Sequence, residues 1–95
     1  MFYRVTHYEF EDERYDEILA WSESTRSSVE RIRGLEFVDE FRSGPGEGVI
    51  VAAYRDEASF IAASETIMSV FSDMNRFVTA PPQTYSGTAD MSFGR

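Results

Sequence analysis

Apolar and polar positions follow the same order twice along this chain. Phe2 to Phe10 is a strand-like run passing Tyr8, followed by Asp12-Glu13 and an amphipathic stretch that closes at Gly34. Val49 to Arg55 is a second strand-like run, ending in Tyr54 and followed by Asp56-Glu57 and a second amphipathic stretch from Glu57 to Val78. Leu35 to Phe41 completes the first half and Gln83 to Phe93 the second, so the predicted order is β-α-β-β-α-β.

The punctuation supports that order. Asp12 is placed to cap the first helix, and Glu13, Asp16 and Glu17 put negative charge at the positive end of its dipole. Gly34, after Arg31 and Arg33, is a helix stop. Ser43-Gly44-Pro45-Gly46-Glu47-Gly48 reads as a hairpin loop between the second and third strands. Asp56 caps the second helix as Asp12 caps the first, and Pro81-Pro82 ends what is still helical at Ala80. With no linker or low-complexity tract, residues 1–95 form one domain. Its order predicts an α+β, ferredoxin-like fold with a four-stranded antiparallel sheet. So widely reused a fold leaves function to its site.

On a helical wheel the first helix gathers Tyr15, Ile18, Ser22, Thr25, Val29 and Ile32 on one face. The second gathers Phe60, Ile61, Ser64, Ile67, Met68, Phe71, Asn75 and Val78. Both predicted buried faces are interrupted by polar groups. Either the hydroxyls bond back to their own helix, with Asn75 at a frayed end, or they line a small pocket between helices and sheet. Ala63, Val70, Met74 and Phe77 widen the second helix's apolar arc to roughly 200°, more than one wet-sided helix needs. The third strand agrees: Val49, Val51 and Ala53 point one way and Ile50, Ala52 and Tyr54 the other, all apolar or aromatic. Two helices cover one face, so the other is expected to meet the sheet of a second copy, as a homodimer.

Composition then closes off chemistries. The chain has no Cys, no Lys and one His, His7. Thiolate nucleophiles, disulfides, cysteine-held metals and lysine Schiff bases are excluded, and no metal site is expected. A net charge of −8 argues against nucleic acid and anionic membranes as partners. Met-Phe-Tyr-Arg-Val does not open a signal peptide and no run is long enough to span a membrane, so a soluble cytoplasmic protein is expected.

The run Arg4-Val5-Thr6-His7-Tyr8-Glu9, the acidic start of helix one, the Gly34 stop, Gly48-Val49-Ile50-Val51 leading to Tyr54, and Asp56-Glu57 together resemble the antibiotic biosynthesis monooxygenase-like domains of the dimeric α+β barrel superfamily. The resemblance spans nearly the whole chain. It implies a protomer whose sheet packs on a partner's sheet, with a helix-to-sheet pocket that some members use for cofactor-independent oxidation of aromatic polyketides and others for haem breakdown. Characterised monooxygenases of the group surround an aromatic substrate with Asn, Trp, Tyr and Arg. This chain offers Asn75, Trp21, Tyr54 or Tyr8, and Arg4 or Arg14. Haem-degrading members place an axial His on the second helix; Glu57 to Val78 contains none, so no cofactor is expected.

Three side chains carry two readings each. His7 shares its side of the first strand with Tyr3, Val5 and Glu9, as a core or barrel histidine or as a general base. Trp21 closes the core edge or forms a wall for an aromatic ligand. Tyr54 anchors a helix cap or presents its hydroxyl to a ligand. In the last strand Tyr85, Ala89, Met91 and Phe93 share one face. The acidic run from Glu9 to Glu17 lacks calcium-loop spacing and is a solvated helix start. The glycine-rich loop joins strand to strand without a Lys, against phosphate binding. The reading is a small homodimer with a helix-sheet pocket for an apolar or aromatic molecule, pocket candidates being Trp21, Ser22, Thr25, Tyr54, Ser64 and Asn75. The alternatives are a cofactor-independent monooxygenase acting on an aromatic polyketide or quinol through His7, Asn75 or Tyr54, and an interaction module whose pocket is filled.

Overall fold

The computed structural model describes residues 1–94. The elements are β1 (Phe2–Glu9), a 3₁₀ turn (Asp12–Arg14), α1 (Tyr15–Ser24), α2 (Arg26–Glu30), β2 (Leu35–Gly44), β3 (Glu47–Tyr54), α3 (Glu57–Phe71), a second 3₁₀ turn (Ser72–Arg76) and β4 (Gln83–Thr88). The strands form one antiparallel sheet in the order β2-β3-β1-β4. This is the ferredoxin-like α+β fold expected from the sequence. None of the helices among the described residues is long and apolar enough to cross a membrane.

Strand alternation divides β1 and β3 between two environments. Phe2, Thr6, Tyr8, Ile50, Ala52 and Tyr54 are buried beneath the helices, with Arg4 half-buried among them. Tyr3, Val5, His7, Val49 and Val51 occupy the opposite face and are only partly covered. The register locks this division: Arg4 lies opposite Ala52 and Thr6 opposite Ile50, while Val5 lies opposite Val51 and His7 opposite Val49. Under the helices, one cluster packs Tyr8, Phe10, Ile18, Trp21, Ile50, Met74 and Phe77. A second packs Phe2, Ala52, Tyr54, Ala63 and Ile67, with Phe60 and Leu35 against it.

Two glycines set close approaches. Gly34 ends the first helical segment at φ +85°, and a Cβ there would overlap the Ser59 hydroxyl of α3. Gly48 leaves the space that the Tyr8 ring fills.

Several local expectations are corrected. The first helix is not continuous: it breaks at Thr25, whose N–H donates to the Ser22 carbonyl (3.0 Å) while its hydroxyl donates to the same oxygen (2.7 Å). Such bonds compete with the α-helical ladder and tighten the turn. Asp12 does not cap a helix. Its carboxylate accepts from the Gly46 N–H (2.9 Å) and Arg42 (3.3 Å), tying the hairpin to the end of β1. Asp56 does cap α3, accepting from the Ser59 N–H at 2.8 Å. The buried face of α3 is Ser59, Ala63 and Ile67, whereas Ile61 and Met68 are 62% and 72% exposed. Small residues let the helix lie close to Gly34 and the sheet, which rotates the larger side chains outward. The second helix gives way to the 3₁₀ turn at Ser72, and β4 ends at Thr88, five residues before Phe93.

Candidate functional site

A cavity of about 700 Å³ lies between the helices and the covered face of the sheet. Its floor is Arg4 and Thr6 of β1, Ile50 and Ala52 of β3, and β2 from Leu35 to Val38 with Glu40. Trp21, Ser22 and Thr25 come from the end of α1, Val29 from α2, and Ile67, Val70 and Phe71 from α3. Most of the lining is apolar or aromatic, and its size falls within the roughly 300–1,000 Å³ of small-molecule sites.

Three of the candidates read from the sequence meet at this cavity: Trp21, Ser22 and Thr25. Trp21 is buried and its ring lies 6.3 Å from that of Phe71 and 6.1 Å from that of Phe77, so its orientation is fixed by packing. Tyr54 lies behind the lining, fully buried, with its hydroxyl accepting a hydrogen bond from Arg4 Nη2. Ser64 is not in the cavity; its hydroxyl bonds back to the Phe60 carbonyl at 3.1 Å, the local alternative to lining a pocket. Asn75 is exposed on the second 3₁₀ turn, because Met74 and Phe77 are the residues that this turn buries. His7 lies on the uncovered face, with Nε2 3.5 Å from Glu47 Oε1. The structure therefore does not bring His7 and Asn75 together, and neither borders the cavity.

The charged floor is where reading the sequence fell short. The resemblance offers Arg4 only as one of two arginines, and no sequence motif points to Glu40. Arg4 lies against two rings, its Cζ 4.9 Å from the Phe60 centroid and 5.4 Å from that of Tyr54. Burial lowers the pKa of its guanidinium, while neighbouring Tyr54 acts the other way. Burial likewise raises the pKa of the Tyr54 phenol, against the influence of Arg4. Glu40 accepts a hydrogen bond from the Tyr8 hydroxyl at 2.6 Å. That phenol is held far above its ordinary pKa, first by burial and then by Glu40, so it remains a neutral donor. The available signal was parity: Arg4 alternates with Phe2, Thr6 and Tyr8, the set that the covered face buries.

Among the described residues two buried side-chain atoms have no hydrogen-bond partner, Arg4 Nε and Ser22 Oγ, and both residues line the cavity. Ser22 differs in this from its neighbours Ser24 and Thr25, whose hydroxyls bond back to the Trp21 and Ser22 carbonyls. No group of three or more His, Asp or Glu side chains able to hold a metal ion occurs among the described residues.

This architecture is shared with solved structures of antibiotic biosynthesis monooxygenases. SnoaB, a cofactor-independent oxygenase from Streptomyces nogalater, superposes with a TM-score of 0.83 over 99% of this chain and 97% of its own, at 14% identity. A structure described as an antibiotic biosynthesis monooxygenase gives 0.73 over 94% and 98%, at 16% identity. Rv0793 from Mycobacterium tuberculosis gives 0.77 over 98% of both chains, at 12% identity. No protein-family model matches the chain, and no curated protein does. At these identities the likeness establishes the fold. The resemblance read from the sequence thus reappears in three dimensions, across nearly the whole chain.

Proposed function

We propose that this protein binds a small planar aromatic molecule in the cavity between α1, α2, α3 and the sheet. The observation that carries this reading is the cavity itself, about 700 Å³ and walled by Trp21, Phe71, Ile50 and Ile67. A filled interior would have favoured an interaction module. Trp21 is the only tryptophan, so it reports on its own site. Saturable quenching of its fluorescence by planar aromatic compounds is expected, and Trp21→Phe should abolish the signal while leaving the circular dichroism intact. Strictly linear quenching across a panel of two- to four-ring compounds would exclude the reading.

The working unit in this proposal is a homodimer formed through the uncovered face. Phe41 and Tyr85 there are 48% and 63% exposed, around partly covered Val5, Val49 and Val51. So large an apolar face is unusual on a monomer.

A second reading, cofactor-independent oxygenation of an aromatic quinol or anthrone-type compound, draws on the likeness to SnoaB and on one feature of the cavity. Glu40 presents a carboxylate there, anchored by Tyr8, that can accept the acidic proton of such a substrate. In an anthrone-type substrate the ring methylene would become a carbonyl, with one oxygen atom of O₂ retained and the other leaving as water. Oxygen uptake without added metal or flavin is the measurement, with Glu40→Gln expected to slow it about 10²-fold or more. Absence of uptake across the panel leaves binding alone.

A further inference from the structure

We infer that α2 is a flap over the cavity, opening about Thr25 to admit a ligand and closing on it through Val29. The inference rests on the reading of the cavity as a ligand pocket and adds how that pocket is entered. From Ser22 to Gly34 no residue is buried, although this stretch supplies Thr25, Arg26, Val29 and Glu30 to the lining. By contrast α3, which also lines the cavity, is seated by buried Ser59, Ala63 and Ile67. Between Trp21 and Ile32 the sequence is Ser-Glu-Ser-Thr-Arg-Ser-Ser-Val-Glu-Arg, in which Val29 is the one apolar side chain. Serine and threonine are poor helix formers because their hydroxyls compete for the backbone. Here they do so: Ser24 and Thr25 donate to the Trp21 and Ser22 carbonyls, and the chain tightens at Thr25 as a hinge within a helix does.

The segment is fixed at its two ends and loosely held between them. Trp21 is buried in one core cluster, Ile32 packs against the other, and the Gly34 carbonyl accepts from the Arg55 N–H at 2.7 Å. In between, Arg26 bonds twice to Glu23 across the break, at 2.9 Å each, and once to Glu30 at 3.4 Å. All three side chains are exposed, so these pairs hold little. A helical turn with no buried side chain opens locally, well before the whole chain unfolds. Val29 couples that opening to the ligand, because it lines the cavity and a molecule filling the cavity gives it a surface to pack on. Leu19 and Val38 of the same lining are 40% and 37% exposed, and closure over a ligand withdraws them from water as well.

The chain has no Lys, so trypsin cuts it only after Arg, and Arg26, Arg31 and Arg33 all lie in this segment. Arg4, on β1 between β3 and β4, is cut only when the sheet opens. Without ligand, cleavage at Arg26 and Arg31 should run ahead of cleavage at Arg4 and stay nearly constant in low urea, which accelerates cleavage at Arg4. 1,4-Naphthoquinone at about ten times its dissociation constant, set by saturable quenching of Trp21, should slow the flap sites about ten-fold. Val29→Ser should change flap cleavage of the free protein by no more than about two-fold and weaken naphthoquinone binding about ten-fold. Saturable quenching with flap cleavage unslowed would overturn the flap and spare the pocket. So would flap cleavage that follows urea as steeply as Arg4 does, or unchanged binding in Val29→Ser. Absence of saturable quenching would remove the pocket reading and the closure with it.

Discussion

The two faces of the sheet are made from the same strands and almost the same residue types, yet they do different things. The covered face packs Tyr8, Phe10, Ile18, Trp21, Met74 and Phe77 at one end and Phe2, Tyr54, Ala63 and Ile67 at the other, with the cavity between them. The uncovered face is Tyr3, Val5, His7, Val49 and Val51, flanked by Phe41 and Tyr85, with no helix over it. Adjacent residues of β1 therefore part company: Arg4 belongs to the cavity, and Val5 and His7 do not. Apolar character alone does not separate a core from an interface; what lies above each face does.

The largest effect expected is on the covered face. Ile18 is completely enclosed, so Ile18→Ala should cost about 2–5 kcal/mol, read from the denaturant midpoint. Ile67 borders the cavity, where neighbours already stand apart, and Ile67→Ala should cost less than Ile18→Ala. The reverse order would mean that the cavity is better packed than its volume implies.

On the uncovered face a charge should leave folding almost untouched and abolish association. Sedimentation of the wild type at micromolar concentration should give twice the chain mass, from an interface of about 800 Å² per partner. Phe41→Glu should shift that equilibrium about 10²-fold toward monomer, with an unchanged thermal midpoint for the monomer itself. A wild type that stays monomeric at high concentration would refute sheet-to-sheet pairing and make the contrast between faces one of exposure only.

The smallest effect concerns the helix that covers the sheet. Hydrogen bonding with Ser59 holds Asp56 below its ordinary pKa. A depressed folded-state value means that the cap stabilises fully above the usual carboxylate range and loses its effect as pH falls through the folded value. Stability should therefore decline on acidification, and Asp56→Ala should lower the thermal midpoint at neutral pH and flatten its acid dependence. Parallel pH profiles for wild type and variant would show that the cap contributes nothing.

Sequence determined much of this by local rules. The β-α-β-β-α-β order follows from hydrophobic periodicity, the Gly34 stop from the left-handed conformation it needs, the α3 cap from Asp56, and the two-sided apolar character of β3 from its alternation. Membership of Trp21, Ser22 and Thr25 in the site was legible because all three fall on or beside one helical stripe. Tertiary structure decided the rest. Rotation of α3 depends on how closely Ser59 and Ala63 approach the sheet, and that packing put Ile61 and Met68 outside, while the 3₁₀ turn that follows turned Asn75 to the surface. Whether Ser64 or Ser22 finds a backbone acceptor is a matter of local geometry that identical side-chain chemistry does not encode. Pairing between β2, β3 and β1 brought Glu40 and Arg4, distant in sequence, into the lining of one cavity. Periodicity assigns a residue to a face; only the packed chain settles which groups share that face and which of them are left without a partner.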